Sequence, residues 1–410
     1  MMYAAYQTQS DLLGPFQEAA KWIAGNLRTD WFGAEIAKPL RQWAAACEVF
    51  SRLRLTHERP SFGIDSVRVG ERDVAVTEQA VQVRPFGTLL RFARSDTLAP
   101  DSPALPKVLI VAPLSGHFAT LLNDTARTML ADHDVYITDW HNARSVPLAA
   151  GRFGLDEYIE QLIEFIAVLG PGTHLVAVCQ PCVPVLAAVA LMAQREHIAQ
   201  PRSMTLMAGP IDCRINPTGV NQLATSKPIE WFEQNLLATV PWRYAGGGRR
   251  VYPGFLQLTA FMSMNPDRHK KAFVDLFGHL VEGELDKADH TRHFYDEYFA
   301  VNDLHAEFYI ETVEKVFQTY ELAKGELVVN GQRVDCGAIK RTALFTVEGE
   351  RDDICAIGQT VAAHDLCSGI RPYLKSHHVQ LGVGHYGVFS GRRWQQQIYP
   401  RVREMIHNVN

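Results

Sequence analysis

The sequence predicts an α/β protein: a mostly parallel, doubly wound sheet, preceded by helices and interrupted late by a helical insertion. Three observations carry the prediction. Apolar runs of strand length alternate with helix-length segments from 107 to 210. The alternation then stops over 211–340, a stretch rich in aromatic residues. It resumes at 342 for two further strands and a closing helix, and those strands need the earlier ones as pairing partners.

Taken in order, residues 1–57 read as helical. Leu12, Phe16, Ala19, Ala20, Ile23 and Leu27 recur at helical spacing and predict a stripe packed on the rest of the protein. A surface-seeking helix would carry more Lys and Arg on its polar face. From 65 to 95 the pattern turns to short strands: Val74 and Val76 alternate with other residues, as do Val81 and Val83, and Gly87–Phe92 makes a further run. KVLIVAP (107–113) is a buried strand ended by proline, followed by a helix over 119–131 and the strand DVYITDW (134–140). Leu155, Ile159, Leu162, Ile163 and Ile166 predict a helix over 155–169. HLVAVC (174–179) is a strand, VPVLAAVALMA (183–193) an apolar helix and SMTLMAGP (203–210) a strand. After the insertion come the strand TALFTVEG (342–349), a helix near 356–366, a strand near 377–383 and a helix over 391–408. The expected division is an N-terminal helical segment (1–60), an α/β core (61–210 and 341–410) and a helical, aromatic-rich cap (211–340).

A net charge of −5 gives no electrostatic reason to expect nucleic acid as a partner. The basic, glycine-rich spot Gly246–Arg250 lacks the Lys-Ser/Thr of a phosphate-binding loop. The N-terminus has no basic region followed by an apolar core, and no stretch approaches the roughly 18 apolar residues of a membrane span. The seven cysteines are therefore expected as reduced thiols in a cytoplasmic protein.

The chemistry gathers at HLVAVCQPCVPVLAAVALMA. A buried strand ends, the chain turns and an apolar helix begins, which is the setting of a nucleophile elbow and of an α/β-hydrolase fold. Ala177-Val178-Cys179-Gln180-Pro181 stands where G-x-S-x-G is usual, with a thiol in place of the serine hydroxyl. Small residues are wanted two places either side of the nucleophile; Ala177 suits that need and Pro181 suits it poorly. A thiolate at a helix N-terminus gains from the dipole and the free N–H groups. Cys182 falls about one turn inside the helix, away from the strand end. Cys179 and Cys182 also form C-x-x-C, so a redox dithiol is a competing reading, and half of a zinc site a weaker one.

A nucleophile needs a base, and the base an orienting group. In the hydrolase order the acid precedes the histidine. Asp352, beyond the strand TALFTVEG, is the preferred acid, with Asp353 assigned to capping the following helix. His385, flanked by glycines in GVGHYG after the last strand, is the base. The oxyanion donors expected are the Gln180 N–H and a second N–H from Pro113-Leu114-Ser115-Gly116-His117, with Ser115 preferred over Leu114. His117 is expected either to touch substrate or to cap the next helix. No metal and no cofactor are called for.

The strings VAPLSGHFATLL, ITDWHNAR, VCQPCVPVLAA, GRRVYPGFLQ, MNPDRH, VEGERDDI, AAHDLC and GHYGVFSGRRW resemble the intracellular polyhydroxybutyrate (polyhydroxyalkanoate) depolymerases from about residue 60 onward. The resemblance implies hydrolysis of amorphous storage polyester to 3-hydroxybutyrate oligomers and monomer, on the granule surface. It also implies a Cys179-Asp352-His385 triad. Related polyhydroxyalkanoate synthases carry G-x-C-x-G-G, from which this chain departs at Gln180, Pro181 and Cys182. The alternatives are thiolysis of the same polymer by coenzyme A, a synthase-like acyl transfer, and a non-catalytic granule-coat protein. Oligomeric state stays open, a homodimer being one option.

Overall fold

The computed structural model describes residues 2–27, 34–96, 104–264 and 266–410; Asn265, within the MNPDRH string, lies outside them. Nine strands form the main sheet: β1 (Ser66–Val69), β2 (Arg72–Arg84), β3 (Gly87–Arg94), β4 (Lys107–Val111), β5 (Asp134–Trp140), β6 (His174–Val178), β7 (Ser203–Met207), β8 (Ala343–Gly349) and β9 (Lys375–Gln380). Their order is β1-β2-β3-β5-β4-β6-β7-β8-β9. The first three pair antiparallel, β3 joins β5 antiparallel, and every pairing from β5 to β9 is parallel. This is the expected α/β-hydrolase sheet. Cys179 directly follows β6, in its middle.

Strands β6, β7 and β8 are buried along their whole length, because helices cover both faces of a parallel sheet. The helix α5 (Cys182–Gln194) shows why its sequence is apolar all round: Cys182 to Met192 are all buried. Each Val, Leu or Met buried in such a position contributes about 1.5–3 kcal/mol over its exposed state. Helix α4 (Leu155–Leu169) has the predicted bounds, with a Glu157 carboxylate reaching back to the Gly154 N–H at 2.7 Å.

Four local expectations differ from the structure. The strands expected at 74–76 and 81–83 are halves of one strand, β2, with a bulge between Ala80 and Gln82. Val74 and Val76 are buried while Val81 and Val83, towards the far end of the strand, are exposed. The helix expected near 356–366 is reduced to Ala363–Leu366. Its first part is drawn into a loop by the buried Glu348 carboxylate, which accepts N–H bonds from Gly358, Thr360 and Val361. The chain after Gly391 is helical but passes through a π-helical turn at Trp394–Ile398.

The fourth difference is in the N-terminal hairpin of α1 (Met2–Asn26) and α2 (Ala34–Arg52). Leu12 and Phe16, expected to pack inward, are 66% and 68% exposed. The buried face of α1 is Tyr3, Gly14, Gln17 and Ala20. On that face the Gln17 amide donates to the Leu53 carbonyl at 3.1 Å. The hairpin is rooted by Tyr3, whose hydroxyl donates to the buried Asp303 carboxylate.

Between β7 and β8 lie short helices, the helices Gly254–Met264, Pro266–Glu282 and Leu285–Tyr298, and a small sheet of 238–239, 250–252 and 304–305. Tyr295, Tyr298 and Phe299 form an aromatic cluster with Leu258 and Val301. Among the described residues no helix is long and apolar enough to cross a membrane.

Candidate active site

The chain leaves β6 and places Cys179 at φ +66°, in the left-handed region that costs a non-glycine residue roughly 1–2 kcal/mol. Two contacts hold it there: its N–H donates to the Met207 carbonyl at 2.8 Å, and its carbonyl accepts from the Cys182 N–H at 3.1 Å. The side chain is partly exposed. Pro181 sits at the helix entrance with φ −68°, where its missing N–H leaves no hydrogen bond unmade. It is thus better suited than its size alone suggested.

Room for the turn comes from a residue that the sequence pattern did not single out. A Cβ on Gly209, after β7, would lie 2.2 Å from the Cβ of Cys182 and 3.0 Å from the Cys179 carbonyl oxygen. Gly209 is clamped by the Thr360 hydroxyl, which accepts from its N–H at 2.9 Å and donates to its carbonyl at 3.0 Å. Thr360 is itself held by Glu348. The only hint in sequence was a glycine soon after a buried strand.

The thiol of Cys182 points the other way from a substrate. It is buried, donates to the carbonyls of Ala177 and Met207, and burial pushes its pKa well up. Such a thiol is a poor resolving partner for a redox pair. All seven cysteines are free.

The acid and the histidine meet as expected in position. Asp352 Oδ2 lies 2.8 Å from His385 Nδ1, and both side chains are buried. The other oxygen of Asp352 accepts from the N–H groups of Ile354 and Cys355 at 2.9 and 2.8 Å. Asp352 therefore also ties down the turn that follows it, while Asp353 is exposed and caps no helix, because none begins before Ala363. Burial works against a charged imidazole at His385, but the charges and hydrogen bonds of Cys179 and Asp352 outweigh it and raise its pKa well above the ordinary value. That balance brings the thiol, the ring and the carboxylate into one electrostatic unit.

Leu114 and Ser115 follow β4, beside the elbow. The Leu114 N–H is taken by the Gln180 side-chain oxygen at 3.3 Å. Among the described residues the N–H groups of Gln180 and Ser115 have no partner. The loop is pinned by the insertion: Asn302 donates to the Gly116 carbonyl at 2.8 Å, and His117 bridges to Val301. Gly116 has φ +99°, and a Cβ there would strike the Gln257 side chain. His117 neither caps the next helix nor lines the cavity. It is buried between Phe261 and Tyr298, and burial lowers its pKa to about 4.

A cavity of about 270 Å³ opens beside His385, walled by Phe261, Phe294 and Tyr298 from the insertion and by Arg351 and Asp353 from the loop after β8. A larger hollow of about 700 Å³ lies between β9 and the C-terminal helix, contains none of these groups, and is not the site.

The chain is similar to a putative lipase from Acinetobacter baumannii AYE, at 14% identity and a TM-score of 0.45, over 81% of this chain and 93% of that one. It is also similar to the 2-hydroxy-6-oxo-6-phenylhexa-2,4-dienoate hydrolase of Rhodococcus sp. strain RHA1, at 12% identity and a TM-score of 0.41, over 82% and 99%. A search among curated proteins gave no match. The family model described as PHB de-polymerase C-terminus matches residues 208–410, a span that includes the insertion, Asp352 and His385 and begins after Cys179. The C-terminal part of the chain is thus similar to the polyhydroxybutyrate depolymerases, on a sheet with the strand order of the α/β-hydrolase fold.

Proposed function

We propose that the chain is an intracellular polyhydroxybutyrate depolymerase that works through a cysteine acyl-enzyme. The observation that carries this reading is the left-handed Cys179 at the end of β6, electrostatically joined to the buried His385–Asp352 pair. The family match supports a polyester as substrate.

His385, oriented by Asp352, takes the proton of Cys179. The thiolate attacks an ester carbonyl, and the oxyanion is received by the free N–H groups of Gln180 and Ser115. The alcohol leaves with the proton from His385, and water activated by the same ring releases the acid. The insertion over 211–340 caps the site, since its aromatic residues wall the cavity beside His385. Granules of storage polyester are the intended surface, and no cofactor or metal takes part.

The test is clearing of native amorphous granules by the parent and by Cys179→Ala. The variant is expected to lose at least about a thousandfold in rate. Equal clearing by both would reject the reading. Because a thioester also accepts thiols, the assay is run with and without coenzyme A, and acyl-CoA appearing only on its addition would replace hydrolysis with thiolysis.

A further inference from the structure

The cavity beside His385 carries a charge arrangement that the reaction above leaves unused. Arg268, in the first turn of Pro266–Glu282, and Arg351, the residue before Asp352, both line it. Among the described residues neither guanidinium has a carboxylate or a hydrogen-bond acceptor as partner. Elsewhere in the same insertion an arginine is satisfied: Arg292 pairs with Glu48 and Asp289. Asp353 is the one carboxylate in the lining, so two cations face one anion. The charge of Arg268 reaches the aromatic wall, acting on Tyr298 and Tyr386.

Position matters as much as charge. The cavity is lined by His385 and not by Cys179. In the proposed reaction the histidine side is where the leaving alcohol must collect its proton. At about 270 Å³ the space equals that of roughly nine waters, enough for a short hydroxy-acid unit and too little for a coiled stretch of polymer.

We propose that this cavity is the subsite for the acid end of the polyester, taking a terminal hydroxyacyl unit whose free carboxylate is held by Arg268 and Arg351. The ester next to the carboxyl terminus is then the one presented to Cys179. The sulfur–carbon bond forms, the carbon–oxygen bond to the terminal unit breaks, and the alkoxide takes the proton of the His385 imidazolium. The hydroxy acid departs from the cavity, and the rest of the chain stays on Cys179 as a thioester until water cleaves it. The inference rests on the polyester reading and adds the direction of attack.

The experiment compares kcat/KM for a linear 3-hydroxybutyrate trimer with a free carboxylate and for its methyl ester. Parent, Arg268→Gln, Arg351→Gln and the double variant are assayed. The parent is expected to prefer the free acid by roughly tenfold or more, the scale of a charge-assisted hydrogen bond. The preference should fall toward one in the double variant, and also in the parent as salt is raised. A parent that cleaves both trimers equally overturns the subsite, as does a double variant that keeps the parent's ratio. A parent inert to both trimers overturns the polyester reading instead, and the subsite with it. Should the variants fold poorly, the parent's own ratio and its salt dependence still decide.

Discussion

At the scale of residues, His385 is held between two opposite influences. Burial disfavours its charge, and Cys179 and Asp352 restore it. The protonated ring is then favoured up to higher pH than for an ordinary histidine. Asp352→Asn removes one of the charges that raise the pKa, so the imidazolium is lost at lower pH. The alkaline limb of the pH–rate profile should move down, with kcat falling by about 10³–10⁴-fold. A profile whose limb stays in place while kcat drops would show that Asp352 only positions the ring. Much of this site is legible in the sequence, because Cys179, Asp352 and His385 each stand just beyond a strand end, and strand ends are marked by composition. The dual duty of Asp352 is not legible. DD is ambiguous in a sequence, and only the direction of each side chain tells the acid that holds the turn from the exposed one.

Among elements, the elbow depends on a neighbour in the sheet. β7 is followed by Ala208 and Gly209, and the missing side chain of Gly209 is the space that Cys182 fills. Gly209→Val should push on the start of α5, destabilise the fold by about 1–3 kcal/mol and slow turnover. Urea unfolding together with ester hydrolysis checks this, and an unchanged midpoint with unchanged kcat would reject it. Strands and helices of the parallel part are readable because a strand buried on both faces is uniformly apolar. The element near 356–366 is not, since its fate is decided by Glu348, a buried carboxylate on another strand that takes three of its N–H groups. The inward face of α1 was misread for a related reason: Tyr3 and Gln17 are tied to distant partners, Asp303 and the Leu53 carbonyl, and these set which face of the helix turns inward in place of Leu12 and Phe16.

Across the whole molecule, buried histidines sit at the joints. His57 joins the hairpin to the insertion, near Tyr6 and Asp303. His305 lies between Phe86 and Phe153, where the insertion meets the sheet. Burial lowers both to about 3 and lowers His117, His133 and His174 to about 4. A depressed value means that the folded state resists protonation. The stabilising contribution is present above about pH 6.5 and is lost as pH falls toward 4, at about 1.4 kcal/mol per unit of depression. His305→Phe keeps the aromatic packing without the titration. The difference in Tm between this variant and the parent should widen in the variant's favour from pH 6.5 to 4. The comparison cancels the buried carboxylates Asp139, Glu297, Asp303 and Glu311, which burial shifts upward and which act in the opposite sense. A constant difference across that range would reject the assignment.

The position of the insertion between β7 and β8 also sets an order of assembly. The thiol and both free N–H donors belong to the first half of the chain, and the acid and base come from beyond residue 341. During synthesis the elbow therefore emerges long before the base proposed for it. In the proposed reaction a chain still short of His385 would hold an inert cysteine, and competence would arrive only when β8 docks on β7 and β9 on β8.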